Sequence, residues 1–138
     1  MSDENPNDKQ IGGSHYATGS EIQHWDWVED CELGYLEGCA TKYIARCRKK
    51  HDTPVIDLNK AVHYCEKIKQ LYLTRGRANR RNPDNLFLSI QLSAFERDAR
   101  LDFDEEFAIR EILFWNNEYD LDGVITRLKL MIKRAEAA

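Results

Sequence analysis

The sequence is poor in glycine and proline and has no long apolar run. Its 138 residues include 7 Gly and 3 Pro, too little turn-forming material for a β-sandwich or barrel. No apolar segment approaches the roughly 18 residues that a membrane helix needs. Residues 1–10 are acidic and polar, unlike a signal peptide. These absences predict a protein of the cytoplasm.

Two common functional motifs are also missing. The four cysteines, Cys31, Cys39, Cys47 and Cys65, form no CxxC pair, and their spacings of 8, 8 and 18 residues do not fit zinc-ligand patterns. We therefore interpret them as reduced thiols of a protein core and expect no metal site. The chain also lacks the GxxxxGK[ST] loop of P-loop nucleotide-binding proteins.

The chain does contain many apolar and charged residues, at 42% and 32%. Apolar residues recur at the i, i+3, i+4, i+7 spacing of amphipathic helices. The pattern predicts helices over about 20–31, 36–50, 57–72, 85–99, 104–117 and 121–136. Asp57 is expected to be the cap or a first-turn acid of the third helix, and Asp84 to precede the fourth. No segment reads as a strand, so the predicted fold class is all-α.

The two halves of the chain resemble each other. With a shift of 68 residues, 22–47 lie over 90–115 and seven of 26 positions are identical; further on, a shift of 63 aligns Asp57-Leu58 with Asp120-Leu121. This predicts an internal duplication that builds a helical bundle from two three-helix halves related by a pseudo-twofold axis. The alternative is two hairpins that share only the helical period. The predicted segments are a lead-in (1–19), a first repeat (20–74), a basic connector (75–84) and a degenerate second repeat (85–138).

Charge is unevenly distributed behind the net value of −4. Residues 42–81 carry +9, whereas residues 1–41 carry −8 and residues 96–122 carry −7. A basic middle between acidic flanks indicates a local anionic ligand, or an oligomer whose opposed surfaces attract each other. The acidic flanks argue against broad nucleic-acid binding.

The polar faces of the two halves differ. The second and third predicted helices each carry a polar stripe. The first stripe is Lys42, Arg46 and Lys49, and the second is Asp57, Lys60, Tyr64 and Lys67. Most of this charge is absent from the second half, so we expect one site, in the first half. Arginine and lysine at this spacing suit phosphate oxygens. The alternative is a solvated face that favours the helix C-terminus electrostatically.

An ordered set of motifs resembles a known family. The motifs are Gly12-Gly13-Ser14-His15-Tyr16, Ile22-Gln23, Leu36-Glu37-Gly38, Lys42-Tyr43-Ile44-x-Arg46 with Lys49-Lys50, and Asp57-Leu58-x-Lys60-Ala61-x-x-Tyr64. Over residues 12–72 they resemble the small phage and prophage "nucleotide kinase-like" or SaV-like family. The resemblance implies a viral protein of nucleotide metabolism in the host cytoplasm. It also implies a deoxynucleoside monophosphate kinase that lacks a P-loop and uses ATP as phosphoryl donor.

The candidate site follows from the stripes and the resemblance. Lys42 and Arg46 would offset charge on the transferred phosphoryl group, and His15 would act from a lid loop. The candidate substrate-binding residues are Gly13, Ser14, Tyr16, Gln23, Glu37, Lys49, Asp57, Lys60 and Tyr64. We expect no permanently bound cofactor, and the sequence leaves a Mg²⁺ requirement open. Because Arg46 lies off the apolar face, Arg46→Ala is expected to abolish nucleotide binding with the fold intact.

Three other functions remain open. The same cations would serve a non-catalytic protein that sequesters a signalling nucleotide of host defence. A nucleoside triphosphate pyrophosphohydrolase would need carboxylates for Mg²⁺, and the only dense set is Asp104, Glu105, Glu106 and Glu111. Nucleic acid could bind the connector arginines, Arg75, Arg77, Arg80 and Arg81, although no recognition motif accompanies them.

The large aromatic residues predict a homo-oligomer. Trp25, Trp27, Phe114, Trp115 and Tyr119 are more than a small helical core easily hides. Phe114 and Trp115 are adjacent, so both cannot face one helix stripe. One is expected to face outward in a subunit interface, and Trp115→Glu is expected to split the oligomer without unfolding it.

Overall fold

The computed structural model describes residues 22–49, 52–79 and 84–138, and these ranges form six α-helices without a strand. The helices are α1 His24–Asp30, α2 Tyr35–Arg46, α3 Val55–Arg75, α4 Asn85–Ala99, α5 Phe103–Phe114 and α6 Glu118–Ala137. Helix accounts for 78% of the described residues, so the predicted all-α class is confirmed. None of the helices in these ranges has the length and apolar composition needed to span a membrane.

Local sequence signals explain several helix ends. The Asp84 carboxylate accepts a hydrogen bond from the Phe87 N–H at 2.9 Å and caps α4 as expected. Asp102 and Glu105 form a reciprocal capping box at the start of α5. Gly76 ends α3 in the left-handed conformation, at φ 65°.

Two of the boundaries that differ from the prediction matter for the site. α2 ends at Arg46 rather than near residue 50, and residues 47–49 continue as turns. α3 begins at Val55, directly after Pro54, so Asp57 lies in its first turn. An acid in the first turn is stabilised by the helix dipole, and this form of the Asp57 prediction is confirmed.

The helices of the two halves pack in the same pattern. α2 packs on α3 and α5 packs on α6, and between the halves α1 packs on α4, α2 on α5 and α3 on α6. If α1, α2 and α3 are exchanged with α4, α5 and α6, the list of packed helix pairs stays the same. A pseudo-twofold arrangement would produce this pairing, and common descent of the halves stays a prediction.

Matched positions of the two halves also form the core. Ile44 and Ile112, 68 residues apart, are both fully buried. The rings of Trp27 and Phe95, also 68 residues apart, stack on each other with centroids 4.8 Å apart and planes 16° apart. Contacts of this kind bury apolar area and add an aromatic term, so the two halves share one core.

Three of the four cysteines lie in this core. Cys31, Cys47 and Cys65 are buried, Cys39 is half-buried, and all four are free thiols. Burial, with a smaller contribution from Asp30, raises the pKa of Cys31 to about 12, and burial also raises the pKa values of Cys47 and Cys65. A core position is therefore confirmed for these three, whereas Cys39 lies at the surface between helices.

The expectation that Trp115 faces an interface is wrong. Trp115 is fully buried and its indole N–H donates to Glu37 Oε2 at 3.0 Å, while Phe114 is half-buried. Helical spacing does not apply here because α5 ends at Phe114 and Trp115 has extended backbone angles, φ −62° and ψ 144°. Trp115→Glu would therefore disrupt the core. The homo-oligomer itself stays a prediction, and Trp25 and Tyr119 are the members of the set that are exposed.

The oppositely charged segments pair within the chain. Arg48 of the basic segment binds Glu105 of the acidic segment through two guanidinium nitrogens, and Lys69 Nζ lies 2.6 Å from Asp122 Oδ1. These ion pairs connect the first half to the second. Part of the charge complementarity that we expected between subunits therefore forms ion pairs within one chain.

Candidate functional site

Cations and aromatic rings converge where α2 packs on α3. Lys42 Nζ, Arg46 Cζ and Lys60 Nζ lie 4.6, 4.7 and 5.0 Å from the centroid of the Tyr43 ring. The ring of Tyr64 stacks on Tyr43 with centroids 5.8 Å apart. Each cation is close enough to interact with the electron-rich ring. We refer to these five residues as the Tyr43 cluster.

One buried carboxylate organises the cluster. Asp57 is fully buried, and its Oδ2 lies 3.5 Å from Arg46 Nε while its Oδ1 lies 3.9 Å from Lys60 Nζ. Arg46 is itself only 8% exposed. The alternative of a solvated face is therefore wrong for Arg46, because the first turn of α3 packs a carboxylate against it.

The cluster carries more positive than negative charge. Within the described ranges, no ion pair joins Lys42 to a carboxylate, and Asp57 is the acid that faces the other two cations. The matched position of the second half, Arg110, is neutralised by Glu106 one turn earlier. The residue matched to Glu106 is Gly38, and a Cβ at Gly38 would lie 3.3 Å from Val28 Cγ1 of α1. At this position the first half therefore has a glycine where α1 packs closely on α2, whereas the second half has an acid.

His24 of α1 contacts α2 at Thr41, the residue before Lys42. His24 Nε2 lies 2.9 Å from Thr41 Oγ1, and the Thr41 hydroxyl is placed to donate to the backbone oxygens of Glu37 and Gly38. His24 therefore acts as the donor to Thr41. Burial, followed by the charges of Lys42 and Arg46, lowers the pKa of His24 to about 4.

This pKa predicts a loss of stability in mild acid. The folded protein keeps His24 neutral to about pH 4, whereas the unfolded chain protonates it near 6.5, so stability falls as the pH drops between these values. We expect His24 to contribute a decrease of about 2 kcal/mol between pH 7 and pH 5. Urea denaturation of the wild type and His24→Gln at both pH values measures it, since glutamine can still donate to Thr41. The exposed His63→Gln is the control, and an unchanged pH slope in His24→Gln contradicts the prediction.

Three predicted site residues make contacts outside the cluster. Lys49 follows the end of α2 and donates to the Ala99 backbone oxygen at 2.6 Å, and burial lowers its pKa. Glu37 is buried and accepts hydrogen bonds from Arg77 and Trp115. Gln23 caps α1 through its backbone oxygen. Gly13, Ser14, His15 and Tyr16 lie outside the described residues.

The acidic set considered for Mg²⁺ is held by arginine. Glu105 binds Arg48, Glu106 binds Arg110, Glu111 binds Arg127 at 2.8 Å, and Asp104 lies 3.1 and 3.5 Å from Arg134 and Arg127. In the part of the chain that the structure describes, no group of three or more acidic, His or Cys side chains could hold a metal. These contacts give the pyrophosphohydrolase alternative no support.

The described part of the basic connector is anchored to the helices. Arg77 donates to both oxygens of Glu37, at 2.8 and 2.6 Å. The Asn79 amide donates to the backbone oxygens of Leu113 and Trp115, each at 3.0 Å. Arg80 and Arg81 lie outside the described residues. Because Arg77 is committed to a buried acid, the nucleic-acid alternative loses one of its four arginines.

Sequence reasoning did not give Tyr43 a functional role. Its spacing places it on the apolar face of α2, whereas the structure shows a half-buried ring surrounded by cations. The available signal was the position of Tyr43 next to Lys42 and three residues before Arg46. Helical neighbours at these spacings lie close in space, but the approach of Lys60 depends on how α3 packs.

In the residues that the structure describes, the fold and the Tyr43 cluster define an all-helical protein with two hairpin-based halves and a cation-rich aromatic site. Residues 9–66 match the model of a family described as a protein of unknown function, DUF3310. The matched segment ends within α3 and includes all five residues of the Tyr43 cluster. No curated protein and no solved structure matches the chain. The family description mentions no activity, so nucleotide chemistry stays a prediction.

Proposed function

We propose that the protein binds nucleotide phosphates at the Tyr43 cluster. The observation that carries this proposal is the convergence of three cations on one ring, where, among the described residues, the buried Asp57 carboxylate lies beside two of them. Lys42 and Lys60 supply point charges for phosphate oxygens. Arg46, which is paired with Asp57, is the buried cation of the cluster.

The reaction proposed for this site is phosphoryl transfer from ATP to a deoxynucleoside monophosphate. The family resemblance over residues 12–72 implies it, and fixed cations are what the charge of a transferred phosphoryl group requires. Nucleotide phosphates are largely deprotonated at neutral pH, so the transfer needs little help from a general base. The proposal includes a phage protein that acts in the host cytoplasm as a homo-oligomer.

Non-catalytic nucleotide binding is the second candidate. Asp57 is the acid closest to the cations, yet it is fully buried and committed to Arg46 and Lys60. It is therefore poorly placed to reach a substrate. A protein that only sequesters a nucleotide needs the cations and no such acid.

Calorimetric titration with the four deoxynucleoside monophosphates and ATP tests the proposal. We expect Lys42→Ala combined with Lys60→Ala to weaken binding by about 100-fold or more, because each charge-assisted hydrogen bond contributes about 1.5–3 kcal/mol. Lys129→Ala with Lys133→Ala is the matched control, since both lysines are exposed on α6.

Two results would reject nucleotide binding at this site: a wild type that binds none of these nucleotides, or a Lys42/Lys60 double variant with unchanged affinity. Product formation from ATP and a monophosphate, followed with and without Mg²⁺, separates the kinase from the non-catalytic candidate.

A further inference from the structure

The seam between α2 and α3 changes character along its length. Arg46 and Asp57 form one end, and Lys42, Tyr43 and Lys60 follow. Beyond them the side chains become uncharged: Cys39 lies one turn before Tyr43 on α2, and Tyr35 lies one turn before Cys39. Tyr64 of α3 borders this second stretch and stacks on Tyr43. The seam therefore has a cationic end and a phenolic end.

The phenolic end presents an exposed aromatic ring. Tyr35, Cys39 and Tyr43 follow one another at intervals of one helical turn on α2, and the Tyr43 ring stacks on Tyr64 of α3. Tyr35 is 77% exposed, so its ring is open to solvent at the end of this row.

The second half lacks this arrangement. The residues matched to Tyr35, Cys39 and Tyr64 are Phe103, Phe107 and Arg127. The Arg127 guanidinium covers the Phe107 ring at 4.0 Å and binds Glu111 at 2.8 Å. In the second half, an apolar ring and a neutralised ion pair thus occupy the places of Cys39 and Tyr64.

We infer that Tyr35 stacks on the base of a nucleotide whose phosphate binds Lys42 and Lys60. The inference rests on the proposed function, which supplies the phosphate end. Lys42 and Tyr35 are two helical turns apart, about 11 Å along the axis of α2, and an extended nucleotide covers a comparable span once the flexible lysine side chain is included. Every base presents a π-face to an aromatic ring, so an exposed tyrosine ring at this place is suited to stack one.

Calorimetry on the full chain tests the assignment with two probes. The first is the deoxynucleoside monophosphate that binds the wild type most tightly, and the second is deoxyribose 5-phosphate, which has no base. Tyr35→Ala is expected to weaken binding of the nucleotide about 5- to 150-fold and to leave that of the base-free probe unchanged. Tyr35→Phe retains the ring and should retain the affinity. Phe103→Ala, at a matched position that is 72% exposed, is the control.

The outcomes separate this inference from the proposed function. If the wild type binds the nucleotide and Tyr35→Ala binds it equally well, the stacking role is wrong and phosphate binding stands. An equal loss for both probes also overturns stacking, because Tyr35 would then act on the phosphate end. If the wild type binds no nucleotide, the proposed function and the inference fail together. Thermal unfolding of each variant establishes that the altered chain is folded.

Discussion

Replacement of Glu37 by alanine is expected to lower the free energy of unfolding by about 3–5 kcal/mol, since it breaks a buried ion pair. The Glu37 side chain is 1% exposed. It accepts hydrogen bonds from Arg77 at 2.8 and 2.6 Å and from the Trp115 indole at 3.0 Å. Alanine would leave the indole N–H buried without this acceptor and would release the connector that Arg77 holds.

Urea denaturation monitored by tryptophan fluorescence measures this loss. Glu66→Ala is the matched control, because Glu66 is an exposed glutamate of α3 and such changes usually stay within about 0.5 kcal/mol. A loss for Glu37→Ala that is no larger than that of Glu66→Ala would show that the buried network does not stabilise the fold.

Arg46→Ala is expected to cost about 3 kcal/mol of stability, in addition to any loss of ligand binding. The substitution removes the guanidinium whose Nε lies 3.5 Å from Asp57 Oδ2, while Asp57 stays fully buried with Lys60 Nζ 3.9 Å from its Oδ1. Arg97→Ala, an exposed arginine of α4, is the control. Loss of nucleotide binding in Arg46→Ala would therefore mix unfolding with the removal of a cation, so Lys42 and Lys60 are the better probes of the site.

A double-mutant cycle isolates the Arg46–Asp57 pair. Well-packed apolar residues often replace both members of a buried ion pair at little cost. We therefore expect Arg46→Met with Asp57→Leu to lose clearly less stability than the sum of the two single variants. If the two single losses simply add in denaturant titrations, the two side chains are not energetically coupled.

Local patterns in the sequence determined the helical fold. Apolar spacing placed all six helices, and the fourth matches its predicted range, 85–99, because Asp84 provides a clear cap. Helix formation depends on groups within about four residues of one another, and a sequence displays such neighbours directly. The pairing of α1 with α4, α2 with α5 and α3 with α6 fits the predicted similarity of the two halves. Helices with similar sequences bury similar faces.

Local patterns failed where a helix ended early. Lys49 was placed on a stripe with Lys42 and Arg46, but α2 ends at Arg46 and Lys49 turns to Ala99. Trp115 was placed outward by a helical argument, but it follows the last residue of α5. In both cases the helix ends three or four residues earlier than predicted, so helical spacing no longer determines where the side chain lies.

The choice of charge partners was decided by the tertiary structure alone. Glu37 meets Arg77 across 40 positions and Trp115 across 78, and Arg48 meets Glu105 across 57. The sequence by itself determined six amphipathic helices, a basic middle segment and the cations of the Tyr43 cluster. Only the packing of helices decided which charges are buried in pairs, because that depends on contacts between residues far apart in the chain.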